Sequence, residues 1–590
     1  MIVGPAAALL VGATFSWSPV VAPAVQDTAI PPPTQQDTLA PDTAAADTVA
    51  FVSVRPDDVP HGPLVPGSRI TFTRDSILWS SALTVSDLLG RVPGVFVARG
   101  GFLGQPEYIM YAGRGPTSIE VFWDGTPLQP LGDDSVYVDP GRIPVSYLGR
   151  VEVEVLPAGL RVYLVTERFE RVGSHSAIRV MSGAFSTAEY TGLFQKRWAN
   201  GIGVSIAADY SASDGAQAVS RSDNLLELWA NAEWQTSPRT GVSYQIRRQD
   251  LDRDEPAEDG GAPFRSGIRT DLSFRMHHAA REDRRGFSFD LGVGSSAWTG
   301  DSLLEDQHVR LAYGTVRYRL PFLNGEVTGR LGDARIERAV EGRLGLVPLP
   351  NVVLAASGYW RDHGSGQTSK FGVASGGLVF GPFSLTGEVS HREGMQAASL
   401  LEDSVQQTND MAARFGMVTR RLTGHIGLAK REMFLPIPAP DLESLPPWGA
   451  TPAATYLIAD LQLRVIDPVT ISAWYSHPDV GSGALQPPKH GRADITFRSR
   501  FLRQFRSGVF GFKLSYGIEF WSRGVAGIDE GIPLELPGAT FHELFAQFQL
   551  VDFRLFYNLR NARNSLAQYV PGFPYPRNAQ TFGVKWEFVN

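Results

Sequence analysis

The sequence predicts a transmembrane β-barrel of about 22 antiparallel strands, with an α/β plug domain from the N-terminal part of the chain inside its lumen. Three observations lead to this prediction. Apolar and polar side chains alternate along segments of about ten residues, and the connections between these segments are alternately short and long. A barrel of this size is also too wide for its own side chains to fill.

The composition agrees with a β-rich envelope protein. The chain has 590 residues, of which 19% are charged and 11% aromatic, with 61 glycines and only 8 methionines. Scarce charge combined with abundant glycine and aromatic residues favours β-structure over a helical enzyme. The net charge of -7 and the lack of a basic stripe argue against a nucleic-acid partner. The chain has no cysteine, so disulfides and thiolate chemistry are excluded.

The N-terminal part reads as a secretory signal followed by a linker. Residues 1–24 carry no charged side chain and contain the apolar run "AAALLVGATF", with a cleavage motif "APA" ending at Ala24. Residues 25–66 are rich in Pro, Ala, Thr and Asp, so we expect a disordered periplasmic linker. No later segment approaches the ~18 uninterrupted apolar residues of a transmembrane helix.

Strand alternation is clearest in "FGFKLSYGIEFW", which begins at Phe510. Its aromatic and aliphatic side chains fall on one face and its Lys, Ser, Gly and Glu on the other. This period of two is typical of a strand with one apolar face. From residue 176 onward about 22 such segments occur, so we assign residues 176–590 to the barrel.

The connections between these segments distinguish a membrane barrel from a soluble sandwich. Short ones such as "WANGIG" and "TSPRTG" alternate with long ones such as "DLDRDEPAEDGGAPFRSG" and "ARNSLAQYVPGFPYPRNA". Outer-membrane barrels have this asymmetry. Tryptophans near the strand ends either form interfacial girdles or pack in a core, and they are Trp198, Trp234, Trp298, Trp360 and Trp521.

Residues 67–175 are the candidate for the domain inside the barrel. "SALTVSDLLGRVPGVFV" predicts a short amphipathic helix followed by a Pro-Gly turn into a strand. "SIEVFW" predicts a second strand, and Asp124 and Gly125 then form the two-residue turn favoured in hairpins. "RVEVEVLP" and "LRVYLVTER" predict two further strands.

The motifs "SDLLGRVPGVFV", "GRGPTSIEVFWDGTPL" and "LGRVEVEVLP", in this order, resemble the plug domain of TonB-dependent outer-membrane receptors. The resemblance implies a plug that is moved by the energy-coupling protein TonB to admit a nutrient. It also implies a TonB box in the linker, for which "DTVAFVSV" (47–54) is the candidate, or else an accidental apolar patch. A TonB box would pair with its partner as an added strand. The residues proposed for it are Asp47, Thr48, Val49, Phe51 and Val52.

Two polar positions in the plug suggest catalysis at first sight. Gly113, Arg114 and Gly115 lack the strand–loop–helix context of a phosphate-binding loop. We expect Arg114 to pair with a barrel carboxylate, because a buried arginine needs a partner. We expect Asp124 to be a turn residue and not a catalytic acid.

Candidate solute contacts lie in the long connections. Aromatic rings beside proline could stack on a ring-containing solute or pack within their own loops, and they are Trp448, Tyr569, Phe573 and Tyr575. The acidic segment 252–259 lacks the ligand spacing of a cation site. We therefore predict no metal site and no cofactor.

The expected function is an outer-membrane receptor that imports a scarce small solute by TonB-coupled movement of the plug. The expected partners are TonB, the solute, and the lipid and lipopolysaccharide around a monomeric barrel in the bacterial outer membrane. Two alternatives remain at this stage. One is an uncoupled plugged barrel that acts as a passive channel or surface-binding protein, and the other is a secreted all-β enzyme.

Overall fold

A closed barrel of 22 strands surrounds a smaller domain in the part of the chain that the structure describes. The structure is a computed structural model, and it describes residues 58–589 except 63, 106, 133–135, 216–222, 254–264, 301–305, 334, 365, 397–404, 438–449, 481–482, 530–531, 564, 566 and 572. The barrel and the inner domain confirm the predicted fold class. The predicted signal segment and the candidate TonB box lie outside the described residues.

The inner domain, called the plug below, contains seven strands and two short α-helices. In chain order they are β1 (Arg69–Thr73), α1 (Arg74–Leu78), α2 (Val85–Leu89), β2 (Val95–Arg99), β3 (Glu107–Tyr111), β4 (Ile119–Trp123), β5 (Thr126–Pro127), β6 (Leu148–Leu156) and β7 (Gly159–Thr166). Two 3-10 turns cover Pro116–Ser118 and Pro140–Arg142.

The barrel and its loops contain the remaining strands. The first half comprises β8 (Gly173–Gly183), β9 (Ala188–Arg197), β10 (Ile202–Ser213), β11 (Asp223–Ser237), β12 (Thr240–Arg253), β13 (Arg265–Ala279), β14 (Gly286–Gly300), β15 (Gln307–Arg319), β16 (Leu323–Gly332), β17 (Arg338–Leu349) and β18 (Val352–Asp362). The second half comprises β19 (Thr368–Phe380), β20 (Phe383–Gly394), β21 (Gln406–Val418), β22 (Leu422–Arg431), β23 (Ala454–Ile466), β24 (Val469–Pro478), β25 (His490–Ser499), β26 (Phe510–Trp521), β29 (Ala539–Leu550), β30 (Phe553–Arg560) and β33 (Ala579–Val589). Two hairpins lie in loops, namely β27 (Gly524–Asp529) with β28 (Ile532–Leu536), and β31 (Gln568–Val570) with β32 (Phe573–Pro574).

The barrel closes because its last strand pairs antiparallel with its first. Thr581 of β33 faces Gly183 of β8, and the ladder continues to Val589 opposite His175. Each strand therefore has a hydrogen-bonded neighbour on both sides, and the barrel has no free sheet edge.

The two faces of the barrel wall have opposite polarity. In β10, Ile206 is 50% exposed on the outer face, whereas Ser205 and Asp209 point into the lumen and are buried. The same alternation runs along the other strands and produces an apolar outer band. A soluble protein shows the reverse arrangement, so this polarity indicates a barrel whose outer face meets lipid.

The two ends of the barrel differ in the length of their connections. At one end, here called the turn end, segments such as 238–239 and 381–382 join the strands. At the other, the loop end, the connections include 479–489 and 561–578. One connection at the turn end, residues 500–509, is longer than its neighbours.

The tryptophans predicted for the girdles divide into two groups. Trp198, Trp234 and Trp360 are exposed on the outer face. Trp298 and Trp521 point inward and are buried, so of the two alternatives these tryptophans pack in a core. Trp298 packs against Leu131 of the plug, because the lumen of a wide barrel needs apolar contacts with the domain it encloses.

The plug is built on a five-stranded sheet in the order β1-β6-β7-β4-β5. Apolar residues that alternate along β6 and β7, including Val151, Val153 and Val162, are fully buried in a core that also contains Leu88 and Leu89 of α2. The strand β1 lies at the edge of this sheet and pairs only with β6.

None of the helices in the described residues is long and apolar enough to span a membrane.

A continuous hydrogen-bonded barrel resists detergent at room temperature. We expect the unheated protein to migrate on an SDS gel at a different apparent mass from the boiled protein, because SDS without heat does not unfold the ladder. A sample unfolded in urea serves as the control and should migrate with the boiled form. Identical migration of all three samples would contradict a closed barrel.

Candidate functional site at the plug–barrel interface

Loop residues fold into the mouth of the barrel and cover the plug at the loop end. The cap is an aromatic cluster formed by Phe96, Trp521, Phe541, Tyr569, Phe573 and Tyr575. The Tyr569 ring lies 4.5 Å from the ring of Trp521 and 5.1 Å from that of Phe541, between ring centroids. Phe96 of β2 joins the plug to this cluster, with its ring 5.8 Å from that of Trp521.

Three of the four predicted solute contacts belong to this cluster. Tyr569, Phe573 and Tyr575 are all buried, and the Tyr569 hydroxyl donates to Glu519 at 3.1 Å. A solute could therefore stack on these rings only after the loops had moved away from the plug. Trp448 lies outside the described residues. A role of these four residues in solute binding stays a prediction.

Arg114 lies in a tight turn between β3 and β4 and contacts the barrel wall. Its Nη2 donates to both carboxylate oxygens of Asp410 in β21, at 2.8 and 2.9 Å. Its guanidinium lies 4.9 Å from the ring centroid of Phe434. Gly113 has a positive φ of 72°, and a Cβ there would lie 2.2 Å from the hydroxyl of Tyr456. Only glycine fits so close to the wall.

A buried ion network joins the plug sheet to strands β17 and β18. Glu154 of β6 accepts from Arg343 at 3.0 Å, and the same guanidinium donates to the Tyr163 hydroxyl at 2.6 Å. Glu120 of β4 accepts from Arg161 of β7 at 2.9 Å and from Arg361 of the barrel. The plug therefore presents both acids and a cation to the wall.

The arginines keep the two plug acids ionised. Burial on its own would raise the pKa of Glu154, but Arg343 and Arg161 outweigh it and lower the pKa to about 2. The pKa of Glu120 is lowered in the same way, with Arg361 and Arg161 outweighing burial. These acids therefore favour docking of the plug only while they are charged.

Asp124 and Gly125 form the turn between β4 and β5, and both have a positive φ. The Asp124 carboxylate accepts from the backbone N–H and the hydroxyl of Thr166, at 2.9 and 2.8 Å. Burial raises the pKa of Asp124, against the lowering effect of Arg168. The carboxylate therefore holds the turn against the end of β7.

The same turn is linked to the first described residue of the chain. Arg275 of β13 donates to the backbone oxygen of Asp124 and to the carboxylate of Asp58, both at 2.7 Å. Arg168 also lies 3.4 Å from the Asp58 carboxylate. At Asp58, the segment that leads back to the candidate TonB box is therefore joined to both the plug and the barrel.

Sequence reasoning did not identify Glu120, Glu154 and Arg161 as interface residues. Their spacing could have identified them, because they occupy polar positions on plug strands whose opposite faces are apolar. No group of three or more His, Cys, Asp or Glu in the described residues is arranged to hold a metal ion.

The fold and this interface define a class, namely a plugged β-barrel of an outer membrane. The family model for the TonB-dependent receptor plug domain matches residues 64–161. Among solved structures, the siderophore receptor PirA of Acinetobacter baumannii is similar with a TM-score of 0.66 and 11% identity, over 88% of this chain and 98% of that chain. A variant of the ferric enterobactin receptor PfeA of Pseudomonas aeruginosa gives 0.68 and 11%, over 89% and 98%. The iron transporter FrpB of Neisseria meningitidis gives 0.68 and 9%, over 88% and 99%.

Residues 64–161 therefore form a plug domain of the TonB-dependent receptor type, and the closed 22-stranded barrel that encloses it has the fold of receptors in the bacterial outer membrane. Receptors of this architecture are not enzymes, which removes the alternative of a secreted all-β enzyme. The turn end of the barrel then faces the periplasm and the loop end faces the outside.

The Arg114–Asp410 pair should contribute substantially to docking of the plug. Both side chains are at most 9% exposed. Arg114→Ala leaves Asp410 charged and without this partner, so we expect the free energy of plug unfolding to fall by about 3 kcal/mol. The susceptibility of the plug to protease, followed as the urea concentration increases, measures this change in free energy. The control is Arg281→Ala, which removes an ion pair with Asp283 whose side chains are 67% and 43% exposed. It should leave the free energy of plug unfolding close to that of the unmodified protein, because solvent screens an exposed pair. Equal losses in the two variants would contradict the prediction.

Docking of the plug should also weaken in acid. The pKa of Glu154 in the folded protein, about 2, lies below its ordinary value of 4.5. The folded state therefore binds fewer protons, and stability falls as the pH decreases from about 4.5 towards 2. The urea midpoint of plug unfolding across this range measures the loss. Glu154→Gln should lower the midpoint at neutral pH and flatten its dependence on pH. An unchanged slope would show that other groups control the transition.

Proposed function

We propose that this receptor takes up a small extracellular solute by TonB-coupled movement of its plug. The observation that carries the proposal is a folded plug of the TonB-dependent type that fills the lumen of a closed barrel. In the described residues the plug contacts the barrel wall from within the lumen, so the proposed uptake requires the plug to move. The segment that leads to Asp58 contains the candidate TonB box at 47–54.

The first solute class to test is a ferric siderophore. The titles of the similar structures name a siderophore receptor, a ferric enterobactin receptor and an iron transporter. Their identity to this chain is 9–11%, so they support the choice of probe through the fold alone. The proposed partners are TonB, the solute, and the lipid and lipopolysaccharide around a monomeric barrel.

Deletion of residues 47–54 tests the coupling. In a TonB-containing strain that lacks its own receptors, we expect this deletion to abolish uptake of radiolabelled ferric enterobactin, because TonB loses the strand with which it pairs. The purified variant should also fail to retain the periplasmic domain of TonB. Deletion of eight linker residues outside the box, 31–38, is the matched control and should leave both unchanged.

Two other outcomes discriminate the alternatives. Uptake that survives the deletion and a protonophore would indicate the passive plugged channel. Retention of TonB without uptake of ferric enterobactin would support the TonB coupling and would show that the solute is a different one.

A further inference from the structure

The long connection at the turn end differs from its neighbours in composition as well as in length. Residues 500–509, which we call the basic turn, carry Arg500, Arg503 and Arg506 and no acidic residue. All three arginines are exposed. In the part of the chain that the structure describes, no carboxylate lies within ion-pair distance of any of them. The basic turn therefore presents three positive charges that these residues leave uncompensated.

A second turn at the same end shows how such charges can be neutralised locally. The connection 280–285 also contains three arginines, but it contains Glu282 and Asp283 as well. The Asp283 carboxylate lies 3.1 Å from Nε of Arg281 and 3.9 Å from Nε of Arg285. The basic turn has no acid of its own to do the same.

Apolar side chains place the basic turn against the lipid-facing band of the barrel. Phe505 stacks on Phe510 of β26, with 5.0 Å between ring centroids, and Phe501 meets the same ring edge-on at 5.3 Å. Phe510 shares a strand face with Leu514, which is 40% exposed on the outer surface. Leu502 and Phe505 remain 45% and 46% exposed. The exposed apolar surface therefore continues from the wall onto the turn.

The rim beside the basic turn is also mainly basic. Arg420 and Arg421 are exposed in the turn between β21 and β22. The backbone N–H of Arg464, near the end of β23, donates to the backbone oxygen of Arg421 at 2.7 Å, which places a third arginine beside them. The next turn contributes one acid, Asp467. Positive charge therefore predominates along this stretch of the rim.

This combination of side chains fits the headgroup region of an anionic phospholipid. The planar guanidinium of arginine forms paired hydrogen bonds with a phosphate group. Its stem can lie along apolar surface while the charge stays at the polar interface, the level at which aromatic rings are also enriched. Uncompensated positive charge favours a lipid with a net negative charge over a zwitterionic one. Because the turn end faces the periplasm, the leaflet in question is the periplasmic one.

We propose that the basic turn binds an anionic phospholipid of the periplasmic leaflet. Its three arginines contact the phosphate, and Leu502 and Phe505 lie among the upper parts of the acyl chains. The bound lipid holds the ends of β25 and β26 at the membrane interface. The proposal depends on the orientation of the barrel and on neither TonB nor the transported solute.

Fluorescence quenching tests the proposal with the full-length protein in phosphatidylcholine vesicles. The chain contains no cysteine, so Ser507→Cys places a single bimane label on the basic turn. The quencher is phosphatidylglycerol or phosphatidylcholine that carries a nitroxide high on its acyl chain. We expect the quenching constant for phosphatidylglycerol to be larger by about fivefold, the factor for one arginine near an anionic lipid surface. A label at Asn351→Cys, in the uncharged turn 350–351, should be quenched equally by both lipids.

Removal of the charges assigns this preference to the basic turn. In the protein labelled at position 507, the triple variant Arg500→Gln/Arg503→Gln/Arg506→Gln should make the two quenching constants equal. Replacing chloride with inorganic phosphate at the same ionic strength should leave the preference of the unsubstituted turn unchanged, because a free phosphate lacks the acyl chains that contact the apolar side chains.

The matched control removes the same number of arginines from the other turn. Arg281→Gln/Arg284→Gln/Arg285→Gln, also labelled at position 507, should keep the preference for phosphatidylglycerol. Each variant is used only after the heat-dependent gel shift shows a folded barrel.

Four results would overturn the proposal. Equal quenching by the two lipids with all arginines present would mean that the basic turn faces an acidic partner in the periplasm instead of the leaflet. A preference that survives the triple variant, or an equal loss in the control, would assign it to another part of the surface. Loss of the preference in phosphate alone would indicate a site for free phosphate. None of these results affects the outcome of the 47–54 deletion.

Discussion

The need to pair every backbone N–H and C=O group inside lipid determines the rest of this structure. An unpaired group in the hydrocarbon region costs several kcal/mol, so the sheet must close on itself. Closure is achieved where β33 pairs with β8. With 22 strands the lumen becomes too wide for wall side chains to fill, and a separate folded domain occupies it. The plug, its charged interface and its attachment to the N-terminal segment all follow from that width.

The plug is held by polar contacts that suit the movement proposed above. Its surface meets the wall through ion pairs such as Arg343 with Glu154 and Arg114 with Asp410, together with side-chain contacts to carbonyls. Buried pairs of this kind add little net stability over apolar packing, but breaking one partner is costly. They therefore specify one docked position. The groups exposed on separation are polar and can be hydrated, which is compatible with the proposed movement of the plug.

Much of the fold could be predicted from the sequence, because a period of two and alternating connection lengths are local signals. The segment that begins at Phe510 reads directly as β26, and the Asp124–Gly125 pair reads as a turn. The inward placement of Trp298 and Trp521 could not be predicted, since a strand-end tryptophan has the same local pattern on either face. The partner of Arg114 was expected to be a barrel carboxylate. Its identity as Asp410 depends on packing across 296 positions of the chain, which no local pattern reveals.

The aromatic cap and the contacts of Lys513 and Lys585 with the end of α1 share no residue. Rearranging the loops around Tyr569 leaves the bonds from Lys585 to α1 intact, and displacing α1 leaves the aromatic rings stacked. The two sets of contacts can therefore break independently of each other. Loss of the contacts at one end of the plug would leave those at the other end in place, so the plug would stay in the lumen.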